Sequence, residues 1–258
     1  MELIDTHAHI FIKHFDEDRD KVIENARKAG VVKIFNPNID LTSIDRLLKL
    51  HQDYPDYCLP LIGIHPGSIG ENFMKDLYQI EDWLYKYKFY GIGEVGLDFY
   101  YSRKYQNEQI EAFRIQVQWA KKMALPVIIH VRKAFNEIFK VLDEENDDTL
   151  KGIFHCFTGN IQQARKIISY GGFKLGIGGV LTFKNSKLPN TLKDIDLKHI
   201  VLETDAPFLS PVPYRGKRNE SAYLIYILKK LAEVKNMDEP TVAKITTNNA
   251  KEVFNIDF

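Results

Sequence analysis

Six side chains able to ligate a metal recur along this 258-residue chain: His7, His9, Glu94, His130, His155 and Asp205. Each stands at or just past the end of a short apolar run, and only the opening pair is close in sequence. His7 and His9 are one residue apart on an extended run, so a period of two sends both imidazoles, and Asp5 with them, off one face. Glu94 lies among Gly91, Gly93 and Gly96, which let the backbone turn tightly and leave room beside the carboxylate. His130 ends LPVIIH, His155 lies in GIFHCF, and Asp205 follows IVLET just before Ala-Pro, where the chain must leave its strand.

Singly, each has an ordinary explanation: a solvated or core histidine pair, a salt-bridged strand-end Glu, a hydrogen-bonded core imidazole. Jointly they argue otherwise, because the chain has 8 histidines and half of them fall at these stations. Four nitrogens and two carboxylates suit zinc, manganese, cobalt or nickel. Six ligands exceed the needs of one four-coordinate ion and suit two ions about 3.5–4 Å apart bridged by one carboxylate. A hydrolytic centre follows if the fold brings many strand ends to one face.

The elements needed for this are legible. Apolar runs at Leu3–Asp5, Val31–Phe35, Leu59–Ile64, Tyr90–Glu94, Pro126–His130, Gly152–Cys156, Phe173–Ile177 and Ile200–Glu203 suit parallel strands buried on both faces. Helical patterns separate them, at roughly 17–29, 41–52, 71–87, 105–123, 134–145, 161–170 and 189–195, with two more near 219–235 and 239–254. Gly30 and Pro126 supply stop signals. Eight runs alternating with helices read as a (β/α)8 TIM barrel in one domain over residues 1–258, since such barrels routinely take about 250 residues. An open doubly wound sheet is disfavoured because DTHAH, not a glycine-rich phosphate turn, follows the first strand.

Hydrophobic residues make up 45% of the chain, enough for a large core, and 35 Lys plus Arg balance 35 Asp plus Glu. A net charge of zero argues against tight, sequence-blind wrapping of long nucleic acid but leaves room for a local phosphate site. The 2 cysteines, Cys58 and Cys156, form no CxxC pair; strand alternation would turn Cys156 into the packing layer if His155 points inward. No signal peptide is expected from MELIDTHAHI, and no apolar run is long enough to span a membrane, so a reducing, cytoplasmic setting is expected.

The chain resembles the TatD-type metal-dependent deoxyribonucleases, a branch of the amidohydrolase-like barrel enzymes. DTHAH, GIHPG (63–67), GEVGLDFY (93–100), LPVIIHVRKA (125–134), FHCFTG (154–159), ETDAPFLSP (203–211), RGKRNE (215–220) and TTNNAKEVF (246–254) carry the resemblance in order along the whole chain. Val95, Phe208 and Ser221 depart from what related sequences often carry, but none is a proposed ligand. The resemblance implies that His7, His9 and Asp205 hold one ion, that His130 and His155 hold the other, and that Glu94 bridges them. It adds magnesium to the candidate metals and implies 3′ to 5′ trimming of single-stranded DNA ends. Such a centre should acidify a bound water to a pKa of roughly 7 and neutralise charge on the phosphoryl oxygens, with Asp205 accepting the water's proton.

Arg215, Lys217 and Arg218 put three cations just past the last strand, where they are expected to position phosphate; His65 and Arg132 are further candidates for the same task. Asp98 is expected to orient the loop or a ligand through hydrogen bonds. Tyr100 and Tyr101 are candidates for base stacking, with ordinary packing the more usual role of such a pair. His14, His51 and His199 fall off the strand-end pattern. The competing activity is hydrolysis of a carboxylic ester or amide, because some relatives are linked to removal of D-amino acids from mischarged tRNA; a catalytically silent metal-binding scaffold is a third reading, disfavoured by the intact ligand set.

Overall fold

Buried apolar runs and amphipathic segments alternate along the chain, and the computed structural model, which describes residues 1–256, converts them into parallel strands and covering helices. In chain order these are β1 (Leu3–Asp5), α1 (Arg19–Lys28), β2 (Val31–Pro37), α2 (Ile44–Asp53), β3 (Cys58–Leu61), α3 (Phe73–Lys86) and β4 (Ile92–Asp98). There follow α4 (Gln106–Met123), β5 (Val127–Arg132), α5 (Phe135–Glu145), β6 (Gly152–Phe154), α6 (Ile161–Ser169), β7 (Phe173–Ile177), α7 (Leu188–Lys193), β8 (Ile200–Leu202), α8 (Leu224–Lys235) and α9 (Glu239–Phe254).

The strands pair in parallel in the order β1-β2-β3 and β4-β5-β6-β7-β8. Backbone hydrogen bonds span both seams. Ile62 N donates to Gly91 O at 3.1 Å and Gly93 N to Ile62 O at 2.8 Å, while Thr6 N donates to Leu202 O at 3.1 Å and Asp205 N to His7 O at 2.8 Å. The result is a TIM-barrel-like α/β fold with the expected alternation of strand and helix. Alternate strand residues divide between two apolar layers. Ile4, Phe35, Leu59, Leu61, Ile128, Ile153 and Val201 cluster together, and Phe254 at the end of α9 stacks on Phe35 with ring centroids 3.5 Å apart. The opposite faces, such as Val127 and Ile129, pack under the helices.

Helix boundaries follow local chemistry. Asn160 and Gln163 form a reciprocal capping box at the start of α6, and α4 ends at left-handed Ala124 just before Pro126. Several expected boundaries differ: β2 runs on to Pro37, β3 spans Cys58–Leu61 where Leu59–Ile64 was expected, and β6 stops at Phe154 short of Cys156. The element expected at 219–235 opens with a 3-10 turn at Ser221–Tyr223 before α8 begins. Strand β4 continues past Glu94 to Asp98, because Val95 and Leu97 are fully buried and extend the ladder to Ile129 and Val131 of β5. Glu94 therefore stands inside a strand, where the register to β5 shifts between Ile92 and Val95. At Gly96, φ is 140° and a side chain would collide with the His130 backbone, so the close approach of β4 to β5 beside the ligands requires glycine.

Candidate metal centre

All six expected ligands converge at the C-terminal ends of the strands. The carboxylate of Glu94 lies at the middle, and its two oxygens face different groups. Oε2 lies 3.2 Å from His7 Nε2 and 3.5 Å from His9 Nε2. Oε1 lies 2.7 Å from His130 Nδ1, 3.6 Å from His155 Nε2 and 3.6 Å from His65 Nε2. Asp205 Oδ1 stands 3.7 Å from both His7 and His9 Nε2 and 3.9 Å from His155 Nε2, so it borders both groups. Asp205 holds a left-handed backbone (φ 59°), a conformation that Asp tolerates better than most residues.

Hydrogen-bond partners assign the imidazole tautomers. His9 Nδ1 lies 3.2 Å from Pro37 O, which can only accept, so Nδ1 carries the proton and Nε2 offers its lone pair. His155 Nδ1 lies 2.9 Å from Glu203 Oε1, an ion-pair contact outside hydrogen-bond geometry, and so leaves its tautomer unassigned. His65 is the reverse of His9: Nδ1 accepts from Gly67 N at 3.0 Å, so Nε2–H faces Glu94 as a donor. His65 thus serves both as the turn residue and as a polar group of the site. His130 has a carboxylate at each nitrogen, Glu94 at Nδ1 and Asp98 at 3.4 Å from Nε2.

Electrostatics reflect this crowding. Burial disfavours the Glu94 carboxylate, but His7, His65, His155 and the His130 contact outweigh it and hold the group well below the usual range. Burial, aided by His155, keeps His7 well below its usual value and neutral. His130 is raised to about 9 and His155 to about 10: burial opposes the charged ring, and Asp98 with Glu94 in one case, Glu203 with Glu94 in the other, overcome it. Burial lifts Asp205 to about 6 against the pull of His155 and His9.

These residues fit divalent cations. His7 and His9 point Nε2 atoms at one another across 3.2 Å. The His9 lone pair is already committed to that side, and His7 Nδ1 is buried without a partner. Two imidazoles and a carboxylate so placed are stabilised by a shared cation.

A sequence profile of the family described as TatD related DNase matches residues 4–255. The chain belongs to the TatD family. It is similar to YabD of Bacillus subtilis, named as an uncharacterized metal-dependent hydrolase, with 39% identity over 99% of this chain and 100% of that protein. It is 30% identical to a Pectobacterium parmentieri protein named 3'-5' ssDNA/RNA exonuclease TatD, over 98% of this chain and all of the relative. The crystal structure of YjjV, a TatD homologue of Escherichia coli K12, superimposes with a TM-score of 0.92 at 28% identity, covering 99% and 98% of the two chains. This TatD-family chain is a metal-dependent hydrolase.

Around the ligands, the TatD-family fold places several residues differently from expectation. Asp5 does not join the cluster; its carboxylate accepts from Thr204 N at 2.9 Å and Thr204 Oγ1 at 2.6 Å and so ties β1 to the end of β8. Cys156 does not enter the packing layer. Strand β6 ends at Phe154, strict alternation lapses, and Cys156 takes a left-handed backbone (φ 45°) that sets its thiol among metal-capable atoms of His155 and Asp205. Asp98 behaves as expected: besides facing His130, it accepts from Tyr100 N at 2.9 Å.

The candidate phosphate cations separate. Arg132 lines the cleft of about 370 Å³ at the mouth of the centre, with His130, His155, Asp205 and Phe208. The cations of the 215–218 loop are not among its lining residues. Arg218 is occupied elsewhere: it donates to both oxygens of Asp18 at 2.8 and 2.7 Å, to Glu220 at 3.1 Å and to His14 O at 2.7 Å. The expectation that it grips phosphate gives way to a structural tie across the start of α1. Arg215 lies 3.7 Å over the Phe183 ring, and Lys217 is exposed with Nζ 5.9 Å from the Tyr214 ring.

Sequence reasoning missed Glu203, which is fully buried, lies behind His155 and accepts from Cys156 N at 2.6 Å. Its signal was the same period of two that marks His7 and His9: Glu203 and Asp205 leave the end of one strand together. It also missed Gln109 and Gln116 of α4. They accept from Asp98 N at 3.0 Å and Ile64 N at 2.7 Å, pinning two of the site's loops.

Proposed function

We propose that this TatD-family hydrolase cleaves phosphodiester bonds at the 3′ ends of single-stranded nucleic acid, DNA foremost, with two divalent ions held at the centre. The observation that carries the reading is the division of the Glu94 carboxylate, one oxygen toward His7 and His9 and the other toward His130 and His155. A bridging carboxylate between two ions has this arrangement. His7, His9 and Asp205 would hold one ion and His130 with His155 the other; zinc, manganese, magnesium, cobalt and nickel are the candidates. When bound, the ions supply Lewis acidity, acidifying the attacking water and neutralising charge on the phosphoryl oxygens.

The chain's own residues supply the remainder. Asp205 faces the cleft from between the two histidine groups and takes the proton of the attacking water. Glu203 stands against His155 Nδ1, on the far side of the ring from the Nε2 that faces Glu94. His65 Nε2–H and the Arg132 guanidinium offer donors to phosphate oxygens, and Arg132 suits bidentate contact. Arg215 and Lys217 remain candidates for contact with a longer strand. Phe208 is 47% exposed at the mouth, 6.2 Å from the His9 ring, and offers a face for the terminal base. The similarity to the protein named a 3'-5' ssDNA/RNA exonuclease supports the polarity and the single-stranded substrate. A chain with no net charge suits gripping an end better than wrapping a duplex. Among the described residues no helix is long and apolar enough to cross a membrane; with two unpaired cysteines, this supports action in the cytoplasm.

The test is digestion of end-labelled single-stranded DNA by metal-loaded protein, with chelator and Asp205→Asn as controls. Stepwise shortening from the 3′ end that needs both metal and Asp205 is expected. No shortening by folded, metal-loaded protein would overturn the nuclease reading and transfer the centre to hydrolysis of esters or amides, including aminoacyl esters of tRNA.

A further inference from the structure

The cleft at the metal centre does not end at Arg132. A second cleft, of about 630 Å³, continues from it and shares Val131, Arg132 and Thr158 with the first. Its walls carry three cations, Arg103, Arg132 and Lys133, against one carboxylate, Glu137. That carboxylate is already 3.8 Å from Arg103. Arg132 feels the Asp98 carboxylate, but neither Arg132 nor Lys133 forms an ion pair among the described residues, so their N–H groups stay available along the floor. Lys133 extends from a left-handed backbone position (φ 57°) where β5 turns into α5.

Beside this floor stand two aromatic rings that packing does not use. Tyr101 is 83% exposed and Tyr100 52%. They meet edge to face at 4.8 Å, and the Arg132 guanidinium lies 3.7 Å over Tyr100. A guanidinium stacked in this way is held in place while its in-plane N–H groups remain able to donate. Cations along a floor with aromatic faces beside them are the combination that holds a single strand, phosphates on the charges and bases on the rings.

We propose that this second cleft is a nucleotide subsite: Arg132 and Lys133, with Arg103 beyond, hold the phosphodiester next in from the scissile one, and Tyr101 stacks its base. The inference rests on the nuclease reading and deepens it, because it requires a substrate of at least two linked nucleotides beyond the cleaved bond. It also assigns Lys133, Arg103 and Tyr101 a role in preference for strands over small phosphodiesters.

The experiment measures kcat/KM of the metal-loaded protein on a small phosphodiester, bis-p-nitrophenyl phosphate, and on oligodeoxynucleotides of increasing length. The quantity compared is each protein's gain from diester to oligonucleotide. Tyr101→Ala is expected to cut the gain about 5- to 100-fold, mostly through KM, as loss of one stacked base does. An abasic residue at the second position should reproduce that loss in the unaltered protein and add little to it in Tyr101→Ala. Lys133→Asn, which removes the charge at a position where Asn tolerates the backbone, should lower the salt dependence of log kcat/KM by about 0.7 per decade of salt.

Both side chains are exposed, so folding is not at risk. Variants whose length gain and salt slope match the unaltered protein, while DNA is still digested, would overturn the subsite alone. Hydrolysis of the small diester with no digestion of any oligonucleotide would overturn the nuclease reading and the subsite with it.

Discussion

Glu203→Gln isolates one charge behind one ligand. The carboxylate is fully buried, its Oε1 lies 2.9 Å from His155 Nδ1, and the same oxygen accepts from Cys156 N at 2.6 Å. Gly176 leaves the space it fills: a Cβ there would come within 2.9 Å of Glu203 Cδ. Gln has nearly the same shape, and its carbonyl oxygen can still accept from Cys156 N, so the fold should survive. What is lost is the negative charge that makes Nε2 a stronger donor to a cation. Removing such a partner behind a ligating histidine costs about 10- to 100-fold in metal affinity, or about 1.4–2.7 kcal/mol.

The pH dependence makes the prediction sharper. Glu203 also stabilises the proton on His155, first among the influences that raise that ring to about 10 against burial. In the unaltered protein metal must therefore compete with a proton at pH 7, a handicap that is smaller in the variant, where only Glu94 and Asp205 still raise the ring. The deficit in affinity should widen as pH rises from 7 to 9. Competition titration against a chromophoric chelator, with Zn2+ or Co2+, measures it at the weaker of two sites. Equal affinity in both proteins, or a ratio that does not change with pH, would refute the assignment of Glu203 as the partner that tunes His155.

Loading the metal-free protein at pH 7 should release protons from His130 and His155, raised to about 9 and about 10. Calorimetry in buffers of different ionisation enthalpy counts them, and affinity should climb with pH across that range. In the metal-free fold the same shifts add stability that is complete below the unfolded value of 6.5 and is withdrawn as pH rises through about 9 and 10. Gly93→Ala should cost about 1–3 kcal/mol by denaturant titration, because its Cβ would stand 2.7 Å from Ile128 Cβ in the packed interior; an unchanged midpoint would contradict the packing described beside Glu94. Arg218→Ala should lower stability by about 0.5–1 kcal/mol, since Asp18 is part-exposed and water re-solvates it, while metal content stays at the unaltered level. A large rise in KM for oligonucleotides without loss of stability would return Arg218 to the substrate.

What the sequence alone determined is the chemistry of the centre and the type of fold that serves it. Strand period and apolar runs are local properties, so the pairing of His7 with His9, the stations of His130, His155 and Asp205, and the strand–helix alternation were readable residue by residue. The limits of that reading are also local. Glu94 looked like a strand end because only contact with Ile129 and Val131 shows that β4 continues past it. Cys156 looked like a packing residue because alternation holds only while the strand lasts, and β6 stops two residues earlier.

Only the tertiary structure decided which side chains face one another across long separations. Thr204, 199 residues away, claims Asp5; Asp18, 200 residues away, claims Arg218; Glu203 meets the Cys156 backbone across 47 residues. A carboxylate or guanidinium is equally able to bind a metal, a phosphate or another side chain, and its type does not say which. That choice is made by whichever partner the fold brings within about 3 Å, where a charge-assisted hydrogen bond forms and desolvation is repaid.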